Sequence, residues 1–358
     1  MRILQHIKTP SRPQLGGIFI KHFMKNLLSL LLVSAILFVG CKPKEKKTQT
    51  ASFLTAKEAV LLNQLVYKPS LGDSLQKHAP DFELVYLPQS VNGNFAFIAK
   101  KKDSLQYALV VRGSMIEFSN DGFQNFILQD FNIFNQKKWE YADSIEDAYL
   151  ARGTYLGFQN LLQLKDGKTG LSIRDFIEQQ IPAGASLVIT GHSLGGNLAY
   201  PLAGYLKKEL KGPLQQNLQL ISFGAPAAGN AAFVKDLEGK FPLAERYAID
   251  RDIAPAFPDH SKMGAIAKMI GLDRVYKIEQ LSLDAGDLLD IAGEILERTK
   301  IVNEDNKYVQ SQLHLRSLKA PDTIVADTVI SAEALFGRAY LFHKVDAYAL
   351  LLGAKSME

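Results

Sequence analysis

One serine in this sequence stands in the setting that a catalytic nucleophile needs. Ser193 is the centre of Gly191-His-Ser-Leu-Gly195, a G-x-S-x-G pattern between the apolar run 186–190 and a predicted helix over 194–209. A serine on a tight strand-to-helix turn projects its Oγ out of the sheet, and the flanking glycines avoid clashes there. The pattern predicts nucleophilic catalysis by Ser193, with the Leu194 amide stabilising an oxyanion at the positive end of the helix.

A serine nucleophile needs a histidine base, and the base needs a carboxylate that fixes its tautomer. After a strand–turn–helix nucleophile the acid comes next in the chain and the histidine last. A predicted strand over 246–249 leads into two candidate acids, Asp250 and Asp252. The downstream histidines are His260, His314 and His343. His192 cannot readily turn back to the Oγ of its neighbour, so we assign it no role.

Composition narrows the class of protein. The 358 residues are 47% apolar and 22% charged, as in ordinary globular chains. Five basic residues and no acid lie in residues 1–40, so the net charge of +4 belongs to that segment and the remainder carries none of the basic excess of a nucleic-acid-binding domain. A Cys/His cluster for zinc and a Gly-rich phosphate loop with a lysine are both missing. We therefore expect no nucleic-acid partner, no metal and no cofactor.

The N-terminal segment has the pattern of a targeting signal. Lys25 precedes an apolar run over 27–40, which is shorter than the ~20 residues of a membrane span and fits a signal h-region. Cys41, the only cysteine, follows directly. This arrangement resembles a bacterial lipoprotein signal, although Phe38 stands where such signals usually have leucine.

The resemblance implies that residues 1–40 are a signal sequence, with 1–23 as an upstream extension, and that Cys41 is lipid-modified. Residues 41–52 are then a Lys-rich linker to a single domain over 53–358. Acyl chains on the cysteine would contribute ~0.8 kcal/mol per methylene buried in a bilayer. The resemblance therefore implies a membrane-anchored protein, periplasmic or at the cell surface. An uncleaved N-terminal anchor helix is the alternative, and it also tethers the body to a bilayer.

Strand and helix patterns alternate along the remaining chain. Strands are predicted over 82–86, 94–99, 107–111, 186–190, 218–223 and 246–249. Helices are predicted over 55–67, 155–165, 171–181, 194–209 and 230–239, with an amphipathic segment over 284–301. The alternation predicts an α/β domain with a mostly parallel central sheet and helices on both faces.

Four separated motifs give the sequence a family resemblance. They are Val110-Val-Arg-Gly-Ser114, Gly191-His-Ser-Leu-Gly-Gly196, Phe223-Gly-Ala-Pro-Ala-Ala-Gly-Asn230 and Asp252-Ile-Ala-Pro-Ala-Phe-Pro258. In this order they resemble the class 3 (fungal-type) lipase family, over roughly residues 80–350. The resemblance implies an α/β-hydrolase fold.

It also implies roles for single residues. Asp252 matches the acid of the family's Asp-Ile-Val-Pro motif, and Asp250 does not. His343, followed five residues later by Tyr348, matches the family's base. Ser114 matches the residue whose amide is the second oxyanion donor.

The Phe-rich segment 118–139 resembles the family's lid over the site, and an ordinary core segment is the alternative. Together these features predict a lipid-directed carboxylic ester hydrolase that acts on a lipid or ester through an acyl-enzyme on Ser193. A non-catalytic surface lipoprotein that binds a ligand or partner in the same cleft is the alternative. Acyl transfer to an acceptor other than water would use the same residues. The sequence does not indicate the acyl length, the head group, the membrane leaflet or the oligomeric state.

Overall fold

The computed structural model describes residues 52–113, 135–269, 271, 278–279, 308–321, 330–331 and 340–357. Several sequence predictions lie outside these residues: the signal sequence over 1–40, lipidation of Cys41 and the linker up to residue 51, the oxyanion donor Ser114, the lid up to residue 134 and the amphipathic segment 284–301. Among the described residues, no helix combines the length and apolar character that crossing a membrane requires.

The secondary structure elements follow one another along the described chain. The strands are β1 (Phe82–Tyr86), β2 (Ala96–Lys101), β3 (Gln106–Val111), β4 (Gln136–Lys138), β5 (Tyr149–Ala151), β6 (Ser186–His192), β7 (Leu218–Phe223), β8 (Gly229–Asn230), β9 (Glu245–Ile249), β10 (Ile278–Glu279), β11 (Tyr308–Val309), β12 (Leu315–Leu318) and β13 (Ile330–Ser331). The helices are α1 (Ala56–Leu65), α2 (Leu71–His78), α3 (Arg152–Leu162), α4 (Ile173–Gln180), α5 (Leu194–Glu209), α6 (Pro213–Gln216), α7 (Ala231–Lys240), α8 (His260–Met269) and α9 (Val345–Leu351).

A seven-stranded sheet in the order β1-β2-β3-β6-β7-β9-β12 positions the site. The strands from β3 to β12 pair in parallel, while β1 and β2 add an antiparallel edge. Every residue of β6 is buried, as expected for a central parallel strand covered on both faces. The prediction of a mostly parallel sheet is confirmed.

Helices cover both faces of this sheet through two separate cores. Leu187 and Ile189 of β6 point into one core, which α3, α4, α5 and α7 cover. Val188 points into the other, which is closed by α1, α2 and α9. This alternation along one strand explains why its sequence is apolar without interruption. The arrangement is an α/β-hydrolase fold.

The element boundaries also show what the sequence pattern missed. Helix α1 begins with the predicted capping box, because Glu58 N–H donates to Thr55 Oγ1 at 3.3 Å and Thr55 N–H donates to the Glu58 carboxylate at 2.8 Å. Helix α2 and strand β12 were not predicted. The four residues of β12, Leu-Arg-Ser-Leu, show no polar and apolar alternation and form too short a run to be read as a strand.

The lid prediction is wrong for Trp139. Strand β4, which precedes this residue, joins a small antiparallel sheet of order β11-β8-β5-β4. The Trp139 side chain is buried in the core against Phe158 and Phe233 and donates its Nε1–H to Asp236 at 3.2 Å. A buried indole with its N–H satisfied is a core residue, which was the alternative.

Candidate active site

The turn between β6 and α5 holds Ser193 in a strained conformation. Its φ of 58° and ψ of −130° are rare for a residue with a side chain and cost on the order of 1–3 kcal/mol. The glycines make the turn sterically feasible. A Cβ on Gly191 would collide with the backbone of Gly195, and one on Gly195 would collide with the carbonyl of Val111. The sequence thus produces the sharp turn that exposes a serine Oγ at the end of a strand.

The structure brings three of the predicted site residues together. Ser193 Oγ lies 2.7 Å from His343 Nε2, and His343 Nδ1 lies 2.9 Å from Asp252 Oδ2 and 3.1 Å from Oδ1. All three side chains are buried. Because Nδ1 faces a carboxylate, which only accepts, we assign the imidazole proton to Nδ1. Nε2 of the neutral ring then accepts from the serine hydroxyl and can take its proton.

Asp252 is held by two further donors. Its Oδ1 accepts from the Ala254 amide at 2.9 Å, and its Oδ2 accepts from the Tyr348 hydroxyl at 2.6 Å. Gly224 lies behind this pair, since a Cβ there would stand 3.0 Å from Oδ2 and 3.1 Å from the tyrosine oxygen. The carboxylate is therefore fixed in the orientation that faces His343.

Tyr348 has a role that the sequence prediction missed. Burial and the negative charge of Asp252 raise the pKa of Tyr348 well above its usual value, so the phenol remains a donor. Its oxygen also accepts from the Ile249 amide at 3.2 Å. The spacing of five residues after His343 was the available signal, but it was used only to recognise the histidine.

Asn197 was missed as well. From the first turns of α5, its Nδ2 donates to the Ala227 carbonyl at 3.1 Å, while its Oδ1 accepts from Thr154 at 2.8 Å. These bonds hold the loop after β7 beside the nucleophile helix. A buried Asn close after a glycine pair is compatible with many local roles, so the sequence carries no specific signal for this one.

The remaining candidates for the acid and the base are Asp250, His314 and His260. Asp250 Oδ1 accepts from the Ala320 amide at 2.9 Å. His314 lies before β12, and its carbonyl accepts from the Arg246 amide at 2.8 Å, so it belongs to the opposite edge of the sheet. His260 is the first residue of α8, and its side chain lies outside the description. Among the candidates whose side chains the structure describes, His343 bonds to Ser193 and Asp252 bonds to His343.

Of the two predicted oxyanion donors, Leu194 lies among the described residues and Ser114 does not. Leu194 is the first residue of α5, so the helix offers its amide no acceptor. Ser114 is outside the described residues, but its neighbour Gly113 lies at the elbow, since a Cβ on Gly195 would stand 2.8 Å from the Gly113 nitrogen. The end of β3 and the N-terminus of α5 therefore adjoin, where a second donor is needed.

Residues 126–262 match the family model of class 3 lipases. This segment is similar in sequence to class 3 lipases. It contains Ser193 and Asp252, whereas His343 lies beyond it. Together with the α/β-hydrolase fold, the match identifies the chain as a serine ester hydrolase of the lipase type.

Solved lipase structures are among those to which this chain is similar, and the first of them shares its fold. The M37 lipase superimposes with a TM-score of 0.63 and 22% identity, covering 84% of this chain and 94% of that one. Lipase II from Rhizopus niveus gives a TM-score of 0.43 and 20% identity over 57% of this chain and 72% of its own. Lip2 lipase from Yarrowia lipolytica gives 0.42 and 21% over 57% and 72%. No curated protein matches the chain.

Proposed function

We propose that this protein is a lipid-directed carboxylic ester hydrolase in which Ser193 is the nucleophile, His343 the general base and Asp252 the orienting acid. The observation that carries the proposal is the continuous line of hydrogen bonds from the Asp252 carboxylate through the His343 ring to Ser193 Oγ. Such a line is what a serine needs to attack an ester at neutral pH.

The mechanism follows from the direction of these bonds. Nε2 of His343 takes the hydroxyl proton as Ser193 Oγ attacks the acyl carbonyl, and the amides of Leu194 and Ser114 stabilise the oxyanion. The imidazolium, steadied by Asp252, then protonates the leaving alkoxide, and an acyl-enzyme remains on Ser193. Water, deprotonated by Nε2, attacks the acyl group, and the carboxylic acid leaves as Oγ regains its proton.

A membrane tether through lipidated Cys41 at the periplasmic or cell-surface side is part of this proposal, supported by the sequence of residues 24–41. The first described residue of the domain, Ser52, is held by two hydrogen bonds. Ser52 O accepts from Ser186 Oγ at 2.6 Å and from Gln106 Nε2 at 3.0 Å, at the first residues of β6 and β3. Ser193 follows the last residue of β6, so Ser52 and Ser193 lie at opposite ends of that strand, roughly 20 Å apart.

The length of the linker limits the distance between Cys41 and Ser52. Residues 41–52 reach at most about 40 Å when extended. This exceeds the length of β6. Radiolabelled palmitate should enter the wild-type protein and not Cys41→Ala. Equal labelling of both proteins would refute the lipoprotein proposal.

The function is tested with p-nitrophenyl esters of increasing acyl length, hydrolysed by the full chain in detergent beside Ser193→Ala. We expect hydrolysis by the wild type that disappears in the variant, with a preference for longer acyl chains. A preference for acetate would refute lipid direction and leave an esterase. Folded wild-type protein without activity at any length would favour the binding-protein alternative. Added glycerol that yields glyceryl esters would indicate acyl transfer.

A further inference from the structure

His192, to which the sequence prediction gave no role, is almost completely buried beside the site. Its ring centroid lies 4.9 Å from that of His343, 5.8 Å from Tyr348 and 6.3 Å from Tyr67. It is the last residue of β6, so its backbone leads directly into Ser193 while its side chain faces the segment that carries the base.

Two contacts define the tautomer of His192. Its Nε2 lies 2.6 Å from the main-chain carbonyl oxygen of His343, and since a carbonyl only accepts, Nε2 carries the proton. Its Nδ1 lies 3.4 Å from the hydroxyl of Tyr67, a long contact in which Nδ1 is the acceptor of the neutral ring. The other neutral tautomer, with its proton on Nδ1, would leave the buried His343 carbonyl without this donor.

The same tyrosine reaches the other side of the site. Its oxygen accepts from the Gly113 amide at 3.2 Å. The hydrogen bonds therefore run from Gly113 N–H to Tyr67, from Tyr67 O–H to His192 Nδ1, and from His192 Nε2–H to the carbonyl of His343. One imidazole links the backbone of the base to the loop that precedes Ser114.

We propose that His192 is a positioning residue that, as the neutral Nε2–H tautomer, sets the place of His343 and of the Gly113 loop relative to Ser193. This inference rests on the proposed function of Ser193 and His343. It gives the residue before the nucleophile a separate role, because the turn fixes Ser193 while the His192 side chain brings the base and the oxyanion loop to it.

The surroundings of His192 keep it neutral. Burial, and next the positive charge of protonated His343, hold the pKa of His192 well below 6.5. The groups that face the ring are the His343 imidazole and the phenols of Tyr67 and Tyr348, with Asp252 beyond His343. An uncharged His192 does not repel the imidazolium that forms on His343 in each half-reaction.

The test compares His192→Phe, which keeps a flat ring but no donor, with His192→Gln, whose Nε2–H can reach the same carbonyl. Steady-state kinetics on a p-nitrophenyl ester are measured on the full chain, with active sites counted by a fluorophosphonate. We expect His192→Phe to lose roughly 30-fold in kcat with KM within about twofold, because misplacement of a catalytic group by under an ångström acts on the chemical step. His192→Gln should recover to within about threefold.

Separate results would contradict the role of the His192 donor and the role of its link to Gly113. If His192→Phe keeps its kcat per titrated site and only melts at a lower temperature, His192 is merely structural and the proposal is wrong. Equal losses in the two variants would also overturn it, since the donor would not be what matters. Tyr67→Phe removes both the donor to His192 Nδ1 and the acceptor of the Gly113 amide and leaves the bond from His192 to the His343 carbonyl in place. It should lose about fivefold in kcat, and an unchanged kcat would remove Gly113 from the network.

A measurement on the wild type covers the case in which a variant does not fold. In ¹⁵N-histidine-labelled full chain, the NMR shifts of His192 should be those of a neutral ring protonated at Nε2 from pH 6 to 8. A ring protonated at Nδ1 would refute the proposal whatever the kinetics show. If the wild type has no Ser193-dependent activity, the proposed function fails, and the NMR result still decides the tautomer.

Discussion

The parallel strands of the central sheet end in two rims, a carboxyl edge where the strands finish and an amino edge where they begin. Both edges carry the same residue types and use them differently. At the carboxyl edge, Ser193 and His343 bond to each other through their side chains. At the amino edge, the Ser186 hydroxyl donates a hydrogen bond to the Ser52 carbonyl at 2.6 Å, and the His314 carbonyl accepts from the Arg246 amide. A serine hydroxyl and a buried histidine are therefore present at both edges, and they meet at only one of them.

The difference shows that the partner, more than the residue type, decides what a hydroxyl can do. A serine that donates to a backbone carbonyl is fixed and has no acceptor for its proton in a reaction. Ser193 donates to an imidazole nitrogen that keeps a proton once it receives one. Loops after the carboxyl ends of parallel strands converge there, so side chains distant in sequence come into contact. Matched pairs of substitutions test this difference between the two edges.

The largest difference should separate the two histidines. His343→Ala removes the general base, and we expect kcat for a p-nitrophenyl ester to fall at least ~10⁴-fold, as when a member of a catalytic triad is lost. His314→Ala should keep kcat within about threefold per titrated site and lower the melting temperature, because it leaves a cavity in a buried place. The reverse result, with activity lost in His314→Ala alone, would assign the base to His314.

The two acids give the next largest difference. Asp252→Asn keeps the shape of the side chain but no longer fixes the His343 tautomer, and we expect a loss of ~10³–10⁴-fold in kcat. Asp250→Asn retains an oxygen for the Ala320 amide, so its kcat should change less than threefold. Steady-state kinetics with a titration of active sites measure both. Equal losses would mean that the strand end as a whole, and not one carboxylate, supports the base.

These pairs also mark how far the sequence can predict the site. Ser193 was predicted from residue pattern alone, because the glycines of the elbow are required by local sterics that any such turn shares. Asp252 and His343 followed only from the resemblance, since the pattern left two acids and three histidines open. Choosing among them depends on where β9 ends and how the last helix packs, and both are tertiary facts.

The remaining contacts were beyond the sequence for the same reason. The long apolar strands and helices of the sheet were predicted because burial on both faces leaves a strong pattern. Strand β12 was missed, since a short edge strand buries little. The role of Tyr348 depends on a hydroxyl that reaches Asp252 across 96 positions of chain, and no local pattern encodes such a distance.

Tyr348→Phe should have an intermediate effect at the carboxyl edge. It removes the 2.6 Å bond to Asp252 and the acceptor of the Ile249 amide while leaving the ring in place. A bond to a charged group contributes about 1.5–3 kcal/mol, so we expect kcat to fall on the order of 10-fold with little change in KM. Tyr247→Phe, which removes a hydroxyl bonded to Glu245, is the control and should leave kcat unchanged. Similar kcat values for Tyr348→Phe and the wild type would show that the Ala254 amide alone holds the carboxylate.

At the amino edge, Ser186→Ala should change stability and leave catalysis intact. The substitution removes the donor to the Ser52 carbonyl, at a cost of about 1 kcal/mol in the free energy of unfolding. Chemical denaturation measures this change, and the kcat per active site should equal that of the wild type. A loss of activity beyond about threefold would mean that the two ends of β6 are coupled, which the separation of their hydrogen bonds argues against.

The smallest expected effect is a dependence of stability on pH at His314. Burial lowers the pKa of His314 below 6.5, so above that pH the ring is neutral in both the folded and the unfolded chain and its contribution to stability is fully present. As the pH falls from about 6.5, the unfolded chain binds a proton that the folded chain takes up less readily, and stability is lost. The melting temperature should therefore fall more between pH 7.5 and 5.5 in the wild type than in His314→Gln. His78→Gln, at an exposed position in α2, should behave like the wild type, and equal falls in all three proteins would show that His314 is free to ionise within the fold.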